Sequence, residues 1–505
     1  MAQRLSASDM SSWLADDGPI HVHVGGTTIM QGPAPDFDEF VDHVGRRLAL
    51  VPRFRQRVTK TPLNLANPVW GDDPKFDVRR HVRRLRVPRP GGEAELRELV
   101  GNVMSEPLDK SRPPWQIYVV EGLAGNRHAF ISKTHHALVD GVSAIDVGAA
   151  ILDISPKGRE DKKAKRWRPA SPAQAALLAG AAVDLIGTPL RATGRAARTA
   201  VRSPAGSAAR VFKTAEAFSS MAVSGPRVRR TFMNQEIGRD RRIGWQKATL
   251  TEVKRARGPV EGATVNDVIL AVAAGGLRRL FKQRRIKLPE YVVALVPVSI
   301  RTADDQGELG NRIATILARL PIAERDPVKR LQRIHDETER LKASESVRAS
   351  TLLIEAAGWA PPTVNRLLSQ AMSKPLVFNL VVSNVPGPQI PLYMMGHRML
   401  EVYPFVPLSP QGHALSLGVL SYDGNVFFGL VGDHDLMADI DDLSAAIGEA
   451  IAEQVAAKPP ARRRAAAKPK PTKPKPKKKA APRKRGSAPI RVRRRARRAG
   501  PKRRG

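Results

Sequence analysis

The sequence predicts an α/β protein of two domains with a basic extension at its C-terminus. Three observations lead there. The 505 residues are enough for two substantial cores. Apolar and β-branched runs of strand length alternate with helix-period runs on both sides of residues 156–225. That intervening stretch is instead rich in Ala, Arg, Gly and Ser, and from residue 458 the chain is dominated by Lys, Arg, Pro and Ala. The expected organisation is an N-terminal domain over 1–155, a basic linker over 156–225, a C-terminal domain over 226–457 and a tail over 458–505.

The net charge of +36 is unevenly placed. The tail holds 23 Lys and Arg and no acid, and residues 157–213 hold 13 basic against 3 acidic residues. About +3 is left for the rest of the chain. The tail cannot bury a core and is expected to be disordered. It suits an anionic lipid surface or nucleic acid, but lacks aromatic rings for base stacking. The linker reads as a solvated crossing between the halves, with an arginine-bearing membrane-surface segment as the alternative. Cysteine is absent, which removes disulfides, thiol catalysis and Cys-based metal sites and fits a reducing compartment. The N-terminus has no basic region followed by an apolar run, and the weakly polar run at 173–190 is too short to span a bilayer comfortably.

Alternation over 20–26 predicts a strand. His21 and His23 would share one of its faces, where they read as strand surface rather than metal ligands. Phe40, Val41, Val44 and Leu48 recur at helical spacing over 37–50. A second helix is expected over 93–104, and strands over 115–120 and 129–134. In the second half, residues 250–254 open a helix with a capping threonine. Asn266 starts an apolar helix, either as its cap or with its amide turned into a cleft. Strands follow at 291–297 and 313–320, then a helix to about 341 with Asp326 as N-cap and Pro327 as first residue. A strand at 376–382 should be stopped by the turn Ser383-Asn384-Val385-Pro386-Gly387-Pro388. Strands at 413–420 and 425–431 form a hairpin around Asp423-Gly424. A helix at 440–455 closes the body.

The most informative stretch is Thr134-His135-His136-Ala137-Leu138-Val139-Asp140-Gly141. It ends a strand and leads into an expected helix at 142–152. Neighbouring strand side chains point to opposite faces, so only one histidine faces a given cavity. A neutral imidazole there can take a proton from a hydroxyl or thiol near working pH. The other histidine and Asp140 would then fix the turn and the ring, and Gly141 would let the backbone turn sharply. No metal is expected, since there is no HExxH and adjacent strand histidines do not easily share an ion. The chain has no Gly-Lys dipeptide for a P-loop, no GxSxG elbow and no GxGxxG after a strand.

HHxxxDG resembles the signature of the CoA-dependent acyltransferase superfamily, which includes condensation domains of peptide synthetases. With Pro107-Leu108-Asp109-Lys110-Ser111-Arg112-Pro113-Pro114-Trp115, Glu121-Gly122-Leu123, Asn266-Asp267, PVSIR…GNR and SNVPGP in the expected order, the chain resembles the bacterial wax ester synthase/acyl-CoA:diacylglycerol acyltransferase family over roughly residues 1–455. Pro114 departs from the family's usual leucine, apolar for apolar. The resemblance implies two similar chloramphenicol-acetyltransferase-like domains with the active site in a channel between them. It implies an acyl-CoA-dependent O-acyltransferase with His136 as general base and acyl-CoA as a substrate, without a cofactor. The acceptor would be diacylglycerol or a long-chain alcohol. His135, Asp140 and Gly141 complete the motif; Arg301 would pair with Asp140, and Asn266, Ser383 and Asn384 would support the site. A cytoplasmic protein, peripheral on the inner membrane face or on lipid droplets, is expected. The alternatives are transfer from a carrier-bound thioester, or an inactive body with a nucleic-acid-binding tail.

Overall fold

The computed structural model describes residues 3–16, 20–61, 68–138, 150–159, 167, 169, 228–299, 313–342, 377–409 and 412–457. In chain order the strands are β1 (Gln3–Arg4), β2 (His23–Gln31), β3 (Gln56–Thr59), β4 (Val69–Asp72), β5 (Val82–Arg86), β6 (Trp115–Leu123), β7 (Arg127–His135), β8 (Arg241–Thr249), β9 (Val292–Ser299), β10 (Ile313–Leu320), β11 (Leu380–Pro386), β12 (Tyr393–Met394), β13 (His397–Phe405), β14 (Leu415–Tyr422) and β15 (Asn425–Asp433). The longer helices are α1 (Ala7–Ala15), α2 (Phe37–Arg47), α3 (Glu93–Ser105), α4 (Leu250–Ala256), α5 (Val265–Gln283), α6 (Pro327–Lys342) and α7 (Ile440–Ala456).

These strands form two six-stranded sheets, ordered β12-β13-β2-β7-β6-β5 and β10-β9-β11-β14-β15-β8, and a small sheet β1-β4-β3. Most neighbours are antiparallel; β5–β6, β9–β11 and β11–β14 are parallel. The division of strands does not follow the linker. β12 and β13 come from the C-terminal half yet complete the N-terminal sheet, with β13 antiparallel to β2. The second of the domains expected to separate at 156–225 therefore lends an edge to the first: β2 would otherwise expose a row of unpaired backbone groups, and β13 covers it.

The two sheets meet where β13 passes over β14 and β15. Gly418 and Gly429 lie opposite each other in that hairpin. A Cβ on Gly429 would stand 2.0 Å from Pro404 O, and one on Gly418 2.9 Å from Val406 Cγ2. Nearby, Trp245 of β8 stacks on Tyr403 of β13 with ring centroids 4.5 Å apart. In the first core Phe40 stacks on Phe130 at 4.8 Å, and the buried Trp115 donates its indole N–H to Phe54 O at 2.7 Å. Buried apolar area of this kind is the main driving force for the body.

Most expected elements are present, with local shifts. Helix α2 tightens into a 3-10 turn over Leu48–Leu50. Thr249, not Thr251, caps α4, its hydroxyl accepting from Glu252 N–H. Asp326 Oδ1 accepts from Val328 and Lys329 N–H ahead of α6, as its position before Pro327 implies. Ser383 and Asn384 do not stop a strand; they lie inside β11, paired with Gly418 and Val419 of β14. Parallel pairing with β14 outweighs their turn preference, although β9 reaches only Leu380 and Val381 of this strand. Asp423 and Gly424 turn the last hairpin at φ +44° and +77°. The expected helix at 142–152 lies outside the described residues except at its end, as do nearly all of the linker and the whole tail.

Gly429→Ala should destabilise the protein by about 1–3 kcal/mol, because the atom a new methyl meets is backbone and cannot step aside. A lower urea midpoint with an unchanged slope is the expected result; an unchanged midpoint would show that β13 can lift freely.

Candidate active site

β7 carries the histidine pair into the interior. It pairs antiparallel with β2, placing His135 opposite His23, and with β6 on its other side. The ladder runs on into the turn: His135 N–H donates to Pro114 O and His136 N–H to Val22 O, both at 2.9 Å. The chain then enters a 3-10 turn over His136–Leu138. Alternation separates the two rings. His135 is fully buried, whereas His136 is only half-buried.

His135 is held from two sides. Its Nδ1 accepts the Ala137 N–H at 3.0 Å, so the ring proton is on Nε2. Nε2 faces Asp16 Oδ2 at 3.1 Å, an ion-pair distance rather than a straight hydrogen bond. The Trp13 ring packs beside it, centroids 4.9 Å apart. Burial lowers the His135 pKa more than the nearby carboxylate raises it, so this ring is neutral. His136 Nδ1 lies 3.5 Å from Ser12 Oγ.

Asp16, the C-cap of α1, anchors the cluster. Its carboxylate meets His21 Nδ1 at 3.5 Å and Lys110 Nζ at 3.0 Å, besides His135. Burial, the largest single influence, pushes this carboxyl up; the contacts from His135, His21 and Lys110 together outweigh it and hold Asp16 far below the usual carboxylate range. Lys133, two residues before His135 on the same strand face, is fully buried and donates to the Val103 and Glu106 carbonyls at the end of α3. Its pKa is lowered to about 8, mainly by burial.

His21 and His23 are not strand surface. β2 lies between β7 and β13, and both imidazoles are buried, stacked with centroids 5.2 Å apart. One ligand-type atom from each of Asp16, His21 and His23 falls within 4.8 Å of the others. The charge balance does not suit a metal dication: the Lys110 ammonium already stands at this carboxylate. Burial first and Lys133 second hold His23 neutral, well below its ordinary pKa.

A second grouping lies on the other sheet and α5. Asn266 is not the cap of α5; Thr264 is, in a capping box with Asp267. Asn266 Oδ1 accepts from Asn384 Nδ2 at 3.5 Å. Ser383, the next residue along β11, points to the opposite face. Asp267 is buried and accepts from Thr264 N–H at 2.8 Å, Thr338 Oγ1 at 2.7 Å and His335 Nδ1 at 3.0 Å, tying α5 to α6. Asp140, Gly141 and Arg301 lie outside the described residues. Sequence reasoning did not single out Ser12, Trp13, Asp16, His335 or Thr338, and had Lys110 and Asp267 only as parts of motifs. The contact from Ser12 to His136 spans 124 positions, and no local pattern announces it.

The family model for the wax ester synthase/diacylglycerol acyltransferase catalytic domain matches residues 5–269, and that for the WS/DGAT C-terminal domain matches 309–454. The chain belongs to the wax ester synthase/diacylglycerol acyltransferase family. This acyltransferase is 32% identical over 464 residues to a probable diacylglycerol O-acyltransferase of Mycobacterium tuberculosis, covering 90% of this chain and 96% of the relative. A second probable diacylglycerol O-acyltransferase of that organism is 32% identical over 428 residues, covering 81% and 89%. Among solved structures, the wax ester synthase/diacylglycerol acyltransferase of Marinobacter aquaeolei is 27% identical with a TM-score of 0.61, covering 90% of this chain and 98% of that one. The first condensation domain of the calcium-dependent antibiotic synthetase shares the fold at 16% identity, with a TM-score of 0.55 and coverage of 90% and 98%. The acyltransferase body is thus the two-domain α/β fold of the chloramphenicol-acetyltransferase type.

In this acyltransferase Asp267→Asn should cost about 1–3 kcal/mol, because a neutral amide accepts more weakly from the Thr264 N–H and His335 Nδ1, and its NH2 must reverse the bond with Thr338 Oγ1. Burial raises the Asp267 carboxyl, but its hydrogen bonds prevail and the folded pKa is lowered. Its stabilising contribution is therefore full above the unfolded value of about 4 and fades as pH falls below it. Urea titrations at neutral pH and near pH 3 should show the gap between wild type and variant narrowing in acid.

Proposed function

We propose that the protein transfers the acyl group of a long-chain acyl-CoA to the hydroxyl of diacylglycerol, and also to long-chain alcohols, with His136 as general base. The observation that carries this reading is the unequal fate of the two histidines. His135 is buried, with Nδ1 accepting the Ala137 N–H and Nε2 3.1 Å from Asp16, while His136 stands half-buried at the strand end. The names of the relatives support the acceptor class.

In the proposed reaction the Nε2 lone pair of His136 takes the proton of the acceptor hydroxyl. The oxygen attacks the thioester carbonyl and forms the new C–O bond. The tetrahedral intermediate collapses with cleavage of the C–S bond, and the imidazolium returns its proton to the departing CoA sulfur. Acyl-CoA is consumed as substrate, and no resident cofactor takes part. Asp140 and Arg301 would brace the turn as an ion pair, with Gly141 allowing it. Asn266 of α5 and Asn384 of β11 would supply amides, with Ser383 a supporting residue on the other face of β11. The segments 156–225 and 458–505 would hold the enzyme peripherally on the anionic inner face of the membrane or on lipid droplets, where its acceptors are dissolved. Among the described residues no helix is long and apolar enough to cross a membrane.

The test is acyl transfer from palmitoyl-CoA to diacylglycerol and to hexadecanol. His136→Ala should lower kcat by roughly 100- to 10,000-fold, the range of a well-placed base. Product ratios in the wild type would rank the acceptors. A folded variant that keeps its rate would remove His136 from the mechanism. A folded wild type inactive on both acceptors would overturn the acceptor class.

A further inference from the structure

Helix α1 presents two polar side chains to the histidine pair. Ser12 and Asp16 are four residues apart and so share a face of the helix and its end. Ser12 Oγ lies 3.5 Å from His136 Nδ1, and Asp16 Oδ2 lies 3.1 Å from His135 Nε2. Between them Trp13 packs against the His135 ring. We propose that α1 is a positioning arm for the reacting imidazole, in which Ser12 holds Nδ1 of His136 and Asp16 holds His135, so that Nε2 of His136 keeps its lone pair toward the acceptor. This rests on the reading of His136 as the base.

The chemistry behind it is tautomeric. A neutral imidazole carries one ring proton, and a base whose proton sits on the wrong nitrogen cannot act. With the proton on Nδ1, the ring donates to the Ser12 hydroxyl and leaves Nε2 as the acceptor. This is the part a third group plays in orienting a catalytic histidine. The separation of 3.5 Å is at the long end of hydrogen bonding, as such contacts often are before substrate is bound. His135 matters through the backbone. Its Nδ1 accepts the Ala137 N–H, which ties together the residues before and after His136, and Asp16 holds the other side of the ring; this fixes where the second ring points.

The arm is itself anchored at both ends. Ser6 and Asp9 close a capping box at the start of α1, and Leu5 N–H donates to Pro68 O. At the other end Lys110 donates to the Asp16 and Trp13 carbonyls and sits 4.9 Å over the Trp13 ring. A helix fixed in this way can impose an orientation on its neighbours.

The test uses full-length protein labelled with ¹⁵N-histidine, together with steady-state kinetics on palmitoyl-CoA. In the wild type the His136 signals, assigned by their loss in His136→Ala, should report the Nδ1–H tautomer. Ser12→Ala should shift those signals toward a mixture and lower kcat about 10-fold, with KM within about 2-fold, as for removal of an interaction used in the transition state. Ser12→Thr, which keeps the hydroxyl, should restore both readouts. Asp16→Asn should disturb the His135 signals and lower kcat in the same way. A wild-type His136 protonated on Nε2 would overturn the proposal without any variant. So would a folded Ser12→Ala with unchanged ¹⁵N signals, whatever its rate. If His136→Ala remained active, the base reading would fall, while the ¹⁵N signals would still decide whether the arm sets the ring.

Discussion

The register of β2 against β7 is the constraint on which the candidate site depends. Strand side chains alternate, so a slip of one residue would turn His135 outward and bury His136. Several features hold the register. His136 N–H extends the ladder to Val22 O, and Gly25 lets β2 lie so close to β7 that a Cβ there would stand 1.9 Å from Ser132 O. Correct register puts a polar ring in the interior, and that needs compensation. The Ala137 N–H and Asp16 provide it, and Asp16 in turn requires Lys110 and His21. The buried polar cluster is thus the consequence of a register that buries His135 and leaves His136 half-buried.

A second consequence concerns the unit of folding. The sheet that carries the histidines is completed by β13, from far along the chain. The same strand packs on β14 and β15 and stacks Tyr403 on Trp245. Further links follow: Arg241 N–H donates to Ser105 Oγ at 2.9 Å across the two halves of the chain, and Lys247 of β8 meets Glu401 of β13 at 2.5 Å across the two sheets. The N-terminal sheet cannot be complete without residues 397–405, whichever acceptor the enzyme uses.

Much of this was readable from the residues. Helices α3 and α7, the hairpin at Asp423-Gly424 and the cap before Pro327 follow from local chemistry, and the structure has them where that chemistry puts them. Long-range pairing decided the exceptions. Ser383 and Asn384 look like a turn until β14 pairs with them in parallel, and His21 and His23 look exposed until α1 brings Asp16 against His21 and the two buried rings stack. The site was legible in its centre and not in its surroundings. The histidine pair stands in one motif, but the residues that hold it come from α1 and from the stretch before β6. Nothing at Ser12 or Asp16 separates them from ordinary helix-surface residues until the fold is known.

The distribution of charge completes the physical picture. The body outside the two basic segments carries about +3, and among the described residues only Leu50, Ile154, Ile286 and Ile390 are large exposed apolar side chains. Such a surface offers an anionic bilayer little attraction. The proposed recruitment therefore falls to residues 157–213 and 458–504, with net charges of +10 and +23. Each Lys or Arg near an anionic surface contributes about 1 kcal/mol, within a Debye length of about 8 Å at physiological salt. Attraction of that range would gather a protein at such a surface without inserting it. The buried histidine cluster of the nearly neutral body is set by Asp16, Lys110 and Lys133.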